Sequence, residues 1–147
     1  DGIRDYKVTG VQRVLFRSVF IMLACVLFTV WTLYTGKIEI CYGENEFTVQ
    51  AEGWQDYTVK YDAIESIAYE ENMFRDTNTI RTNGFGNLKY SMGHFRDEIH
   101  GDYIRYTHND CDIYVVMEVE GSTVILNGAD DAQTWEIYNN IRERMEK

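Results

Sequence analysis

The distribution of apolar and polar positions divides the chain in two. Residues 18–34 (SVFIMLACVLFTVWTLY) form a run of seventeen without a charge, a proline or a glycine. At 1.5 Å rise per residue such a helix covers roughly 25 Å, just short of a hydrocarbon core of about 30 Å. Val14, Leu15 and Phe16 close the gap if Arg17 carries its guanidinium out to the headgroups on its apolar stem. Trp31 and Tyr34 fall at the far end, where amphipathic rings favour the interface. The run is apolar all round rather than along one stripe, which suits lipid better than a half-buried surface helix. The pattern predicts a transmembrane helix over residues 14–35, a basic stub over residues 1–13 and a soluble domain over residues 36–147.

A secretory leader is the main rival reading, but its apolar core usually spans roughly 7–15 residues before a small-residue cleavage site. Trp31-Thr32-Leu33-Tyr34 follows here instead, which favours an uncleaved anchor. Arg4, Lys7, Arg13 and Arg17 precede the run and only Lys37 follows closely. The excess of positive charge on the inner side therefore predicts a cytoplasmic stub and an extracytoplasmic domain. The chain opens on Asp1 rather than Met, as expected of a fragment or a processed product.

Beyond Gly36 the period changes from helical to alternating. Residues 37–42 (KIEICY) place Ile38, Ile40 and Tyr42 against Lys37, Glu39 and Cys41, a half-buried strand. After Gly43-Glu44-Asn45, residues 46–51 put Phe47, Val49 and Ala51 on one face, completing a hairpin. Residues 54–61, 65–72, 101–108, 112–120 and 123–127 read as further strands, and 94–96 as a short one. Residues 73–92, with Asn78, Asn83, Gly84, Gly86 and Asn87, read as a long loop with room for one short strand; such a loop in a small domain is usually functional or disordered. A helix is predicted over residues 131–144, capped by Asp130 with Gln133 three residues on. Its apolar face comprises Trp135, Tyr138, Ile141 and Met145. The predicted order is an anchor, about seven short antiparallel strands and one C-terminal helix, a mainly-β domain.

Charge narrows the partners. The chain carries a formal −10. Four basic and two acidic residues precede the apolar run, a balance of +2, so the remainder carries −12. An acidic module repels phosphate, which disfavours nucleic acid and anionic lipid headgroups as partners. Cys25, Cys41 and Cys111 are odd in number and scattered, unlike a disulfide framework or a metal-ligand pair.

Several segments carry a resemblance: Asp62-Ala63-Ile64-Glu65-Ser66-Ile67, Arg81-Thr82-Asn83-Gly84-Phe85-Gly86, Gly93-His94-Phe95, Gly101-Asp102-Tyr103, the strand from Tyr114 to Val119, and Leu126-Asn127 before the last helix. In these, residues 36–146 resemble the bacterial pleckstrin-homology-like domains that adjoin membrane helices. The resemblance implies an antiparallel barrel of about seven strands capped by a C-terminal helix, serving as a binding or assembly module without catalytic residues. Eukaryotic relatives of that fold bind phosphoinositides through basic residues in the first strand pair. The corresponding turn here, Tyr42-Gly43-Glu44-Asn45-Glu46, is acidic, so lipid-headgroup recognition does not carry over.

The remaining polar clusters offer little chemistry. His94, His100, His108 and Cys111 lack the close pairs of common zinc sites, although His108 and Cys111 could form one edge of a site. Gly84-Phe85-Gly86 follows no buried parallel strand and is read as a turn, not a phosphate cradle. Glu70, Glu71 and Asp76 read as a solvated acidic rim. The best recognition groups are Arg75, Arg81, Asn83 and Phe85, a candidate partner-binding loop, since exposed Phe and Arg often anchor interfaces. No cofactor or enzymatic activity is expected. The favoured function is protein binding or self-association at the membrane surface; the alternative is a sensor of a small ligand or metal.

Overall fold

The computed structural model describes residues 5–75 and 77–146, with side chains from residue 15 onward. Helix α1 spans Asp5–Tyr34 and so begins within the segment read as a stub; Asp1 and Arg4 lie outside the described residues. Its stretch Leu15–Tyr34, 20 residues with a mean hydropathy of 2.0, is long and apolar enough to cross a membrane. A second compact unit begins at Gly36.

In that unit, strands β1 (Lys37–Tyr42), β2 (Glu46–Glu52) and β3 (Tyr57–Lys60) form an antiparallel meander. The alternation read from the sequence sets its register, with Ile40 opposite Val49 and Phe47 opposite Val59. One 3-10 turn, Tyr61–Ala63, leads into the second sheet. Its strands are β4 (Ile64–Glu71), β5 (Ile80–Gly86), β6 (Tyr90–Asp97), β7 (Gly101–His108), β8 (Ile113–Val119) and β9 (Ser122–Leu126). They lie in the order β4-β8-β9-β7-β6-β5. Strand β9 turns back against β8 and pairs in parallel with β7, the one departure from an antiparallel arrangement among the described strands. Helix α2 (Asp131–Met145) closes the chain, and Asp130 accepts a hydrogen bond from the Gln133 N–H at 2.8 Å, as the predicted cap requires.

The described residues of the domain form nine strands in two open sheets of three and six, where the sequence predicts a barrel of about seven. The difference lies in residues 73–92, which were expected to form a loop with at most one short strand. They contain all of β5 and the start of β6. Asn and Gly disguise the strand because it pairs through an unusually close approach: Gly84 lies opposite Gly93, both with positive φ (154° and 121°). A Cβ on Gly84 would collide with the Met92 carbonyl, and one on Gly93 with that of Asn83. Glycine serves here as a strand residue that admits another backbone, rather than as a turn.

The centre of the six-stranded sheet is buried on both faces. On its inner face Met92, Tyr106, Val115, Met117, Val119, Val124 and Leu126 pack with Phe47, Val49 and Val59 of the small sheet and Ile141 of α2. On its outer face Phe95, Tyr103, Tyr114 and Ile125 form a second cluster, covered by Met73 and Phe74 from the β4–β5 connection. Trp135, expected to bury against the sheet, stays about half exposed (49%), its ring edge-on to Tyr69 of β4.

Asn127, 1% exposed, ties the sheet together beyond β9. Its Oδ1 accepts from the His108 N–H at 2.7 Å, and its Nδ2 donates to the carbonyls of His108 and Cys111 at 3.1 and 3.0 Å. One amide therefore satisfies three backbone groups of the β7–β8 turn. Replacing it strands those groups at the full cost of desolvation. Asn127→Ala is expected to lower stability by about 3 kcal/mol, read by chemical denaturation of the detergent-solubilised chain followed by circular dichroism.

The half-buried His108 ring packs against Tyr90, with centroids 5.0 Å apart. Burial holds its pKa below the ordinary imidazole value, opposed by the nearby Asp110. The unfolded chain then takes up a proton at a higher pH than the folded one, so this contribution to stability is present at neutral pH and declines on acidification through the unfolded pKa of about 6.5. Stability should fall between about pH 7.5 and 5.5, and His108→Gln should flatten that slope. Asp97 does not contribute in this window. Burial pushes its pKa up, but bonds from the His100 and Ile99 N–H groups and the His100 ring outweigh that and hold it below the ordinary carboxylate value.

Candidate functional site

The most distinctive group in the domain is a cation placed in the outer core. Strand β7 alternates, with Ile104 and Tyr106 on the inner face and Tyr103 and Arg105 on the outer. Because that outer face is largely covered, Arg105 is only partly exposed, unlike a surface arginine. Its guanidinium carbon lies 4.3 Å from the centroid of the Phe74 ring and 5.7 Å from those of Phe95 and Tyr114. These rings brace one another: Phe74 stacks on Tyr103 at 5.6 Å and meets Tyr114 edge-on at 4.9 Å. Rings around a guanidinium stabilise it through their quadrupoles, most strongly where water is scarce.

Hydrogen bonding fixes Nε, and the Tyr103 hydroxyl also acts on the guanidinium as a hydrogen-bond partner. Nε donates to Thr107 Oγ1 at 2.6 Å. Among the described residues no carboxylate forms an ion pair with Arg105. Its Nη atoms are not sealed from solvent, since no buried side-chain nitrogen or oxygen among the described residues is left without a partner. Burial lowers the guanidinium pKa from its ordinary value, while Tyr114, Tyr103 and Asp112 pull it back up. Arginine remains charged throughout. Burial also raises the Tyr103 pKa to about 12 and moves that of Tyr114 in the same direction, so both phenols are neutral at physiological pH.

Arg105 forms part of the wall of a recess of about 300 Å³, with Asn72, Phe74, Arg75, Asn109, Asp112 and Tyr114. The backbone shapes this recess. Asn72 adopts a left-handed conformation (φ 55°), and its N–H donates to the Asp112 carbonyl at 2.7 Å, joining the end of β4 to the start of β8. Asn109 is held from both ends: Oδ1 accepts from Ser91 Oγ at 2.8 Å and Nδ2 donates to the Asn87 carbonyl at 3.0 Å.

The four residues expected to form one recognition loop are separated. Arg75 reaches the Arg105 recess. Arg81 lies along β5 with its guanidinium over Gly86. Asn83 joins His94, Asp102 and Tyr103 around a second recess of about 420 Å³. Phe85 is half-buried and packs on the inner core and over Gly53 rather than projecting as an anchor. His100 bonds Asp97, His108 lies against Tyr90, and the buried Cys111 thiol donates to the Ile113 carbonyl at 3.6 Å. Among the described residues no three His, Cys, Asp or Glu side chains are grouped to hold a metal ion. Glu70 and Glu71 are exposed at the end of β4, and Asp76 lies outside the described residues.

The sequence does contain a signal for Arg105. Val124-Ile125-Leu126 is apolar at every position, the mark of a strand buried on both faces. A neighbouring strand with tyrosines on both faces must then bury whatever stands between them.

Desolvation of a partly buried cation offsets much of what its aromatic contacts contribute to folding. Arg105→Met keeps the stem and removes the charge. It is expected to leave thermal stability unchanged or raise it by about 1 kcal/mol, measured by calorimetry of the solubilised chain. A loss of several kcal/mol would mark the guanidinium as a structural support.

In comparisons with known proteins, no family model, no curated protein and no solved structure matches this chain.

Proposed function

We propose that the chain is a single-pass membrane protein that presents a pleckstrin-homology-like β domain as a binding or assembly module at the membrane surface. The observation that supports this reading is the succession of two units of opposite character. A 20-residue apolar stretch ends at Tyr34, and a β domain with its own core begins two residues later. The excess of basic residues before the stretch favours an extracytoplasmic domain. The domain binds a protein partner or a second copy of itself, and its acidity disfavours nucleic acid and anionic headgroups. Strands β1, β3, β4 and β5 each end a sheet, so a peptide can add to an edge through main-chain hydrogen bonds.

A second reading, a small-ligand sensor, is favoured by the Arg105 recess, which offers an available cation and a defined wall. Neither reading assigns the domain a catalytic step.

The test is made in native membranes. The chain should stay with the membrane through an alkaline carbonate wash and cross-link to a defined protein or to itself. In a Cys25→Ser background, the exposed Cys41 should react with an impermeant maleimide in intact cells. Release by the wash would overturn the anchor. A chain that stays bound yet remains monomeric and cross-links to nothing would overturn the module. Labelling of Cys41 only after lysis would reverse the assigned side.

A further inference from the structure

We infer that the recess at Arg105 is a binding site for a single carboxylate group, held in plane by the Nη face of the guanidinium. This inference rests on the binding-module reading and names the chemistry of one site within it.

Three observations converge. First, Nε is bound to Thr107, which leaves the Nη atoms as the donors turned to a ligand, and the Phe74 ring centroid lies 4.3 Å from the guanidinium carbon. A planar donor pair held in this way matches the two oxygens of a carboxylate. Second, Arg75, Asn72 and Tyr114, residues that carry hydrogen-bond donors, line the same recess. Third, Asp112 stands on the same wall. One negative charge is offset by Arg105 and Arg75, whereas a phosphate dianion would face Asp112 with charge left over. The aromatic lining and the volume of about 300 Å³ suit a carboxylate on a small apolar or aromatic body.

That chemistry has two sources, a free carboxylic acid or the terminal carboxylate of a peptide, and the experiment separates them. The full-length chain in detergent micelles is titrated at constant ionic strength with acetate, benzoate, inorganic phosphate, a short peptide with a free C-terminus and the same peptide amidated. The readout is the Arg105 Nε–Hε resonance by NMR, with the melting temperature alongside. Acetate and benzoate should shift that resonance saturably, benzoate the more tightly. Phosphate should bind about tenfold more weakly, and Arg105→Lys should weaken benzoate by about tenfold because a point charge cannot replace the fork. Arg75→Gln, at an exposed position, should weaken benzoate two- to threefold, an order-of-magnitude expectation for one screened charge of roughly that size. Tighter binding of the free-ended peptide than of benzoate would identify a peptide terminus as the source, and weaker binding a small acid. No saturable shift, equal binding of the amidated peptide, or tight phosphate binding would each overturn the site. If Arg105→Lys does not fold, the wild-type titration still decides. A chain that remains membrane-bound and cross-links to its partner but ignores every carboxylate would sink this inference alone.

Discussion

The domain depends on one constraint: strand β9 lies between β7 and β8 and must be apolar on both sides. Val124, Ile125 and Leu126 are each at most 1% exposed. A strand in that position creates two buried faces, and each must be covered or the sheet will aggregate. The inner face is covered by the three-stranded meander and α2, the outer by a few aromatic side chains and the β4–β5 connection. The pairing of β6 with β7 sets Phe95 opposite Tyr103 in the outer cluster, and the close glycine pair adds β5 beyond it. Asn127, the residue after β9, secures the β7–β8 turn and so holds the strands on either side of β9 in place.

How much of this was legible depended on whether a signal was local. The meander could be read because its alternation is clean: Phe47, Val49 and Ala51 are buried while Glu46, Gln50 and Glu52 are exposed. Helix α2 could be read because Asp130 and Gln133 form a local cap. Strand β5 could not, since what makes it a strand is the opposing Gly93, a contact with no trace in its own composition. The parallel pairing of β7 with β9 was hidden for the same reason: it joins strands separated by an entire intervening one. Arg81, Asn83 and Phe85 were expected on one loop because they are close in sequence. On a strand they diverge, Asn83 to a surface recess and Phe85 into the inner core.

Arg105 illustrates the same limit from the other side. In isolation, the arginine in GDYIRYTH looks like the polar position of a half-buried strand. It becomes unusual only once the outer face is known to be covered, and that cover is supplied by Phe74, thirty-one positions earlier in the chain. The expected recognition loop did include the neighbouring Arg75, which reaches the same recess. Here the polar contributor was local and legible, and the central one was set by topology.

The balance of charge gives the placement of Arg105 its further meaning. In a segment of net −12, an arginine on the surface would find carboxylates within reach and be neutralised by them. Flanked by Phe74, Phe95 and Tyr114, it forms no ion pair among the described residues, although Asp112 stands on the same recess wall. The surrounding acidity acts mainly through solvent, where salt screens it beyond roughly 8 Å. The fork acts at contact in a partly desolvated recess, where the same charge interacts far more strongly. On the proposed reading, long-range repulsion disfavours polyanions while short-range geometry admits one carboxylate. A site of this kind cannot be built from a basic patch, which would attract phosphate first. It requires a few cations, here Arg105 and Arg75, the former partly buried against aromatic rings, on an otherwise acidic domain.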